Sequence, residues 1–300
     1  MDDFFERLNA GRPVIIDGGT GSEMEKRGAK MEEKGWSASC TLTAPNLLRA
    51  IHEDYIRAGA EVIIANTFST SKHVLEQCGI GHQFEEMNAT AVRIALESRD
   101  NVAQRPVWVA GSISTTTFAP DSHVDTATLQ TNWEHQAEIL AESGIDFFML
   151  EMMNHIEKTC IAYDAASKTG LPVIVGYNTH TDVAGEVQLG LLGSYHKDRG
   201  TLAEAIQALP DGVPMITIMH SLTTDIPASL DVIHANYSGP SGAYAHWGEF
   251  VMPNWQFNDM ISAEAYADEA QKWVDAGVKL IGGCCGIGPD HIQELAKRFG

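Results

Sequence analysis

Positive charge is what this chain of 300 residues has least of: 20 lysines and arginines stand against 40 acidic residues, a formal charge of −20. Such a surface repels phosphate backbones and anionic headgroups, which argues against nucleic acid and membrane partners. Nor does any stretch approach the roughly 20 consecutive apolar residues of a membrane helix. The opening Met1-Asp2-Asp3-Phe4-Phe5-Glu6 has neither a basic start nor a long apolar run, so no secretory leader is expected. Cysteine is scarce and odd in number, five in all, and Cys40, Cys78 and Cys160 lie scattered. That pattern suits a reducing cytoplasm better than a disulfide framework. Linkers and low-complexity segments are missing too, so residues 1–300 are read as one domain.

What is present is a rhythm. Hydrophobic residues make up 44% of the chain and charged residues 20%, the balance of an ordinary globular protein. Short β-rich runs recur at Val14–Asp17, Glu61–Ala65, Val107–Gly111, Phe147–Glu151, Val173–Tyr177, Met215–Met219, Asp231–Ala235 and Val278–Gly282. Most are unbroken apolar runs, as parallel strands covered on both faces require. Helical patterns separate them. Leu47, Leu48, Ile51 and Tyr55 share one helical face that Gly59 ends, and Leu129, Trp133, Ala137 and Leu140, ended by Gly144, repeat the design. Alternating units of this number and total length predict an α/β fold, a closed (β/α)8 TIM barrel, with an open doubly wound sheet as the alternative. In a barrel the chemistry sits where strands end. That filter selects Asp17 to Gly21, Asn66-Thr67, Gly111-Ser112, Glu151, Asn178, His220, Asn236 and Gly283-Cys284-Cys285.

The last of these is the most specific. In Gly282-Gly283-Cys284-Cys285-Gly286 two adjacent thiols stand between glycines at a strand end. Neighbouring strand side chains point to opposite faces, so both can grip one ion only if the backbone bends, which Gly282, Gly283 and Gly286 permit. Thiolates are preferred zinc ligands, and three protein ligands leave a fourth position for substrate. A vicinal disulfide or two inert buried thiols are the alternatives.

With these residues in place the chain resembles the zinc-dependent homocysteine S-methyltransferase family, (β/α)8 barrels that include betaine, S-methylmethionine and cobalamin-linked enzymes. The resemblance spans nearly the whole chain and is carried by Asp17-Gly18-Gly19-Thr20-Gly21, Ala58-Gly59-Ala60 leading to Asn66-Thr67-Phe68, Ala110-Gly111-Ser112, Glu151 and the double-cysteine motif. It implies a zinc-dependent transfer of a methyl group from a donor to homocysteine, giving methionine, in a cytoplasmic enzyme. One departure stands out. The family supplies its first zinc thiolate from a Gly-x-Asn-Cys segment ending the sixth strand, whereas this chain has Thr217-Ile218-Met219-His220-Ser221. Aligning the downstream Thr224-Asp225-Ile226-Pro227 puts His220 in the cysteine's place, or Ser221 if the register slips by one. The implied metal ligands are therefore His220, Cys284 and Cys285. The implied substrate contacts are Asp17 and Glu151 for the amino group of homocysteine, with Gly18, Asn66 and Ser112 nearby and Trp36 on the donor.

Beyond Trp36, the aromatic residues Phe68, Tyr177, Tyr237, Trp247 and Trp255 lie near expected rim loops, where their faces would attract an onium methyl donor. Eight strand–helix units nearly exhaust the length, leaving no module to present a corrinoid, so a small diffusing cation is expected. His73, His82, His123, His180, His196 and His246 read as exposed loop residues. Two other functions fit the same residues: a zinc hydrolase using metal-activated water, and a non-catalytic descendant that binds thiol or metal. The expected partners are small molecules alone, with homo-oligomerisation left open.

Overall fold

The computed structural model describes residues 2–115, 124–190, 199–251 and 254–300. Eight parallel strands form one sheet: β1 (Val14–Ile15), β2 (Val62–Ile64), β3 (Trp108–Ser114), β4 (Phe147–Met153), β5 (Val173–Tyr177), β6 (Ile216–Met219), β7 (Ser241–Tyr244) and β8 (Leu280–Ile281). Each pairs with its neighbours in chain order, and β1 lies beside β8 with Val14 opposite Leu280. A parallel bridge between Ile16 and Val62 joins β1 to β2 and closes the ring. The TIM barrel expected from the rhythm is the fold.

Strand alternation sorts the apolar residues into two layers. Val14, Ile16, Val62, Phe147, Met149 and Leu280 fill the barrel interior, while Ile15, Ile63, Phe148, Val175, Ile218 and Ile281 pack outward against the helices. Burying each such side chain contributes about 1.5–3 kcal/mol. The N-terminal helix Asp2–Leu8 closes the base. Phe4, fully buried, stacks on Phe147 with ring centroids 4.5 Å apart and meets Trp108 edge-on at 5.3 Å. Arg7 fastens that helix by a two-pronged ion pair to Glu61, both bonds 2.6 Å long.

The helices expected from periodicity are present as Pro45–Ala58 and Thr126–Glu142. The junction glycines Gly59, Gly144 and Gly277 all adopt positive φ, so the repeated helix–Gly–strand unit is real. One expected strand is wrong. Asp231–Ala235 lies inside the helix Ile226–Asn236, whose buried residues Ile226, Ser229, Leu230 and Ile233 recur at helical spacing. The seventh strand is Ser241–Tyr244, so Asn236 ends a helix and the true rim residues there are Ala245 and His246.

Candidate metal centre and substrate pocket

At the C-terminal mouth of the barrel lies a cavity of about 330 Å3. Among the described residues its walls include Gly18, Trp36, Asn66, Glu151, His220, Cys284 and Cys285. Three of these form a cluster: the ligand atoms of His220, Cys284 and Cys285 all lie within 4.8 Å of one another.

Backbone geometry brings them together. Met219 points into the barrel, so simple alternation would send His220 outward. Instead His220 takes a left-handed backbone, φ +46°, which a bulky residue rarely adopts. Its carbonyl accepts a hydrogen bond from Asn178 Nδ2. The ring turns inward, with Nδ1 3.3 Å from Cys284 Sγ. Ser221 faces away, accepting from the Thr179 amide at 2.9 Å and donating to the Met219 carbonyl at 3.1 Å. Of the two readings of that register, geometry favours His220. The cysteine turn depends on one glycine for its bend: Gly286 has φ +82°, whereas Gly282 and Gly283 do not have positive φ. Gly283 is required for space, because a Cβ there would lie 2.2 Å from Ile287 Cγ2.

The cluster fits a tetrahedral ion. With zinc–sulfur near 2.3 Å and zinc–nitrogen near 2.0–2.1 Å, ligand atoms should stand about 3.6–3.8 Å apart. The two sulfurs are 3.9 Å apart, His220 Nδ1 is 3.3 Å from Cys284 Sγ and all three ligand atoms lie within 4.8 Å of one another, so modest side-chain adjustments bring them to that spacing. The electrostatics agree. The Cys285 thiol beside it, and burial, push the Cys284 thiol well above its usual range, so two thiolates here call for a cation. Burial, with His246 alongside, holds His220 well below the usual histidine value and keeps the imidazole neutral, as a ligand must be.

Opposite stand the carboxyls. Glu151 shares the inward parity of Phe147 and Met149 on β4 and projects into the cavity. Ser112 Oγ lies 2.5 Å from its Oε2. Burial raises its pKa to about 7, with Ser112 and Tyr244 opposing the shift. Asp17 sits deeper, its Oδ2 accepting from the Ile64 amide at 2.8 Å while Oδ1 is buried without a partner. Burial first, and Glu151 second, raise the Asp17 pKa well above its usual value. Asn66 lines the cavity but spends its amide on Ser37 and Thr41. Ser112 does not line it and reaches it only through Glu151.

The remaining wall is aromatic. Trp36 fills the space left by Gly21, where a Cβ would stand 2.7 Å from the indole Cη2. Phe68 and Trp255 also line the cavity, and Phe250, which the sequence reading passed over, completes the wall. Tyr177 and Tyr237 are spent elsewhere, donating to Ala205 and Val213 carbonyls, and Trp247 donates its indole to Asp259. Two histidines expected in exposed loops are buried. His73 lies against Trp133, and His246 packs on His220 with ring centroids 4.5 Å apart. His123 and His196 lie outside the described residues. The misplaced seventh strand hid His246, which follows the true β7 by two residues.

Among the described residues, three of the four non-glycine positions with positive φ, Trp36, Met152 and His220, line this one cavity. Backbone strain of that kind gathers at functional sites.

The homocysteine S-methyltransferase family model matches residues 14–299. Selenocysteine Se-methyltransferase of Brassica oleracea var. italica is 29% identical over 314 residues, 95% of this chain and 88% of that protein. Betaine–homocysteine S-methyltransferase 1 of Rattus norvegicus is 27% identical over 319 residues, 98% and 74% of the two. In fold, the chain superposes on the metallated form of the homocysteine methyltransferase MmuM from Escherichia coli with a TM-score of 0.78, at 22% identity over 97% of this chain and 98% of that one.

Proposed function

Because the chain belongs to the homocysteine S-methyltransferase family, we infer that it moves a methyl group from a small onium donor to the thiol of homocysteine, giving methionine, at a zinc site held by His220, Cys284 and Cys285. The observation that carries this reading is convergence: a three-ligand cluster, the buried carboxyl of Glu151 and an aromatic wall share one cavity. Zinc held there would supply a Lewis acid able to lower the pKa of an incoming thiol.

The protein's own groups supply the rest. Glu151, ionised above about pH 7 and oriented by Ser112, accepts the ammonium group of the amino acid, and the unpartnered Asp17 Oδ1 offers a second acceptor. An arriving ammonium favours both carboxylates and offsets the cost of burying them. Trp36, Phe68 and Trp255 exclude water and present ring faces to a cation. In the transfer the homocysteine thiol gives up its proton to solvent, and a carbon–sulfur bond forms to its sulfur while the bond from that carbon to the donor heteroatom breaks. The donor keeps that electron pair and leaves without the positive charge it brought in. Dispersal of charge suits a poorly hydrated wall. A volume of about 330 Å3 accommodates two small molecules and not an enclosed corrinoid. This supports small-molecule partners, and no helix of the described residues is long and apolar enough to cross a membrane. A cytoplasmic setting is supported by the reduced thiols that the cluster needs.

The test is mass spectrometry of products from homocysteine with S-methylmethionine, betaine, dimethylsulfoniopropionate or methylcobalamin, using wild type and Trp36→Ala. Methionine from an onium donor, with a raised donor KM in the variant, is expected. Turnover with methylcobalamin alone overturns the donor assignment.

A further inference from the structure

Both tryptophans of the aromatic wall end on one carboxylate. Glu25, in the helix Thr20–Lys26, accepts the indole N–H of Trp36 on Oε2 at 3.1 Å. The backbone amide of Trp255 lies 3.0 Å from both of its oxygens. These partners come from different parts of the chain: Trp36 from the long segment after β1, Trp255 from the antiparallel pair Glu249–Val251 and Asn254–Gln256, which projects from the mouth after β7. Among the described residues no cation pairs with Glu25. The adjacent Lys26 and Arg27 are directed to Glu23, and Arg27 also to Asp54. Half-buried Glu25 thus turns its carboxylate to these two N–H donors, which makes both bonds charge-assisted.

Trp255 also links the aromatic wall to the metal-ligand side of the pocket. Its ring contacts Phe250, with centroids 6.3 Å apart, and His220, at 5.7 Å. Its indole donates to the Trp247 carbonyl at 3.2 Å, and the Trp247 amide donates to the Cys285 carbonyl at 3.0 Å. Phe250 in turn meets Trp36 edge-on at 6.0 Å. Moving the Trp255 backbone would therefore move the aromatic wall relative to the cysteine turn.

We propose that Glu25 is a positioning residue for the methyl donor: it ties Trp36 and Trp255 into one wall at a fixed distance from His220 and the cysteine turn, and so sets the size of cation that fits. A carboxylate hydrogen-bonded to an indole N–H also makes the ring face more electron-rich, which strengthens its hold on a cation. The proposal rests on the reading of this wall as the donor side, and its test separates the two.

Glu25→Ala and Glu25→Gln are compared with wild type by hydrogen exchange over residues 249–256, by tryptophan emission, by zinc content and by steady-state kinetics. In Glu25→Ala the Trp255 amide should exchange faster by at least about tenfold, as loss of one charge-assisted hydrogen bond implies. Emission should shift. Donor KM should rise about tenfold while homocysteine KM and zinc content stay within about twofold, because the ligands and Glu151 are untouched. Glu25→Gln, which keeps an acceptor but no charge, should restore exchange protection and recover part of the donor KM. Unchanged exchange and emission in Glu25→Ala overturn the tie whether or not any donor is turned over. Lost protection with an unchanged donor KM overturns the positioning role. If wild type uses no onium donor, the donor assignment fails, and the exchange result still decides whether Glu25 holds the wall.

Discussion

Removing one of three ligands leaves no stable chelate. Cys284→Ser, Cys285→Ser and His220→Ala should each release most of the metal and lower activity by at least about two orders of magnitude. Ser221→Ala should be mild, since that hydroxyl bonds Thr179 and Met219. His220→Cys should keep the ion and make the bound substrate thiolate more nucleophilic, because a third protein thiolate donates more charge. Full activity in metal-stripped wild type, or full metal in His220→Ala, contradicts the assignment. Glu151 gives a second prediction at this scale. It ionises near 4.5 when exposed and near 7 in the folded, ligand-free protein. Between those values the folded state holds a proton that the unfolded chain has shed, so stability falls as pH rises through the window. The loss above pH 7 is about 3 kcal/mol. Glu151→Gln should therefore melt higher than wild type above pH 7, lose that advantage below pH 4.5, and bind homocysteine poorly. Equal melting temperatures at pH 8 would show that Glu151 carries no such burden.

At the scale of elements, legibility followed hydrophobicity. Val173–Tyr177 reads as a strand and is one, because five buried positions in a row leave little choice. Ser241–Tyr244 carries no such signal. Gly242 must be small, since a Cβ there would lie 2.9 Å from Thr217 Cγ2, and small residues are poor evidence of a strand. The more apolar Asp231–Ala235 drew the assignment away, and with it went His246. The paired thiols of the proposed metal site were legible for a different reason: two adjacent cysteines between glycines constrain chemistry directly. The left-handed backbones of Trp36 and Met152 were not, because nothing in a bulky side chain announces a positive φ. Glu25 was equally silent, its partners being 11 and 230 residues away in sequence. Gly21 yields the prediction here. A Cβ there would meet the Trp36 ring at 2.7 Å, so Gly21→Ala should displace the indole. Donor KM should rise about tenfold, the equivalent of about 1.4 kcal/mol. Normal donor KM with unaltered tryptophan emission would show that the ring has room to adjust.

For the molecule as a whole, we propose that residues 1–300 unfold as one domain. The two apolar layers are continuous around the ring, and Arg7 and Phe4 tie the first helix to the base. None of that packing involves the ion. Chelation should therefore abolish methyl transfer while leaving a folded barrel and one cooperative calorimetric transition, unlike a small zinc-dependent module. Two resolved transitions, or loss of secondary structure with the metal, would contradict this.

Phe4 has a further consequence. With Phe4 and Phe147 stacked across the floor, the barrel is a blind alley among the described residues, and the rim is the doorway for both reactants. His220, Cys285 and Glu151 are buried within that alley and Cys284 is half-buried, while Phe250 and the exposed Glu249 and Val251 stand at the threshold. Traffic should accordingly be sequential, with the amino acid admitted first and the cation closing in behind it. Methionine, the deeper product, should leave last and compete with homocysteine for the free enzyme.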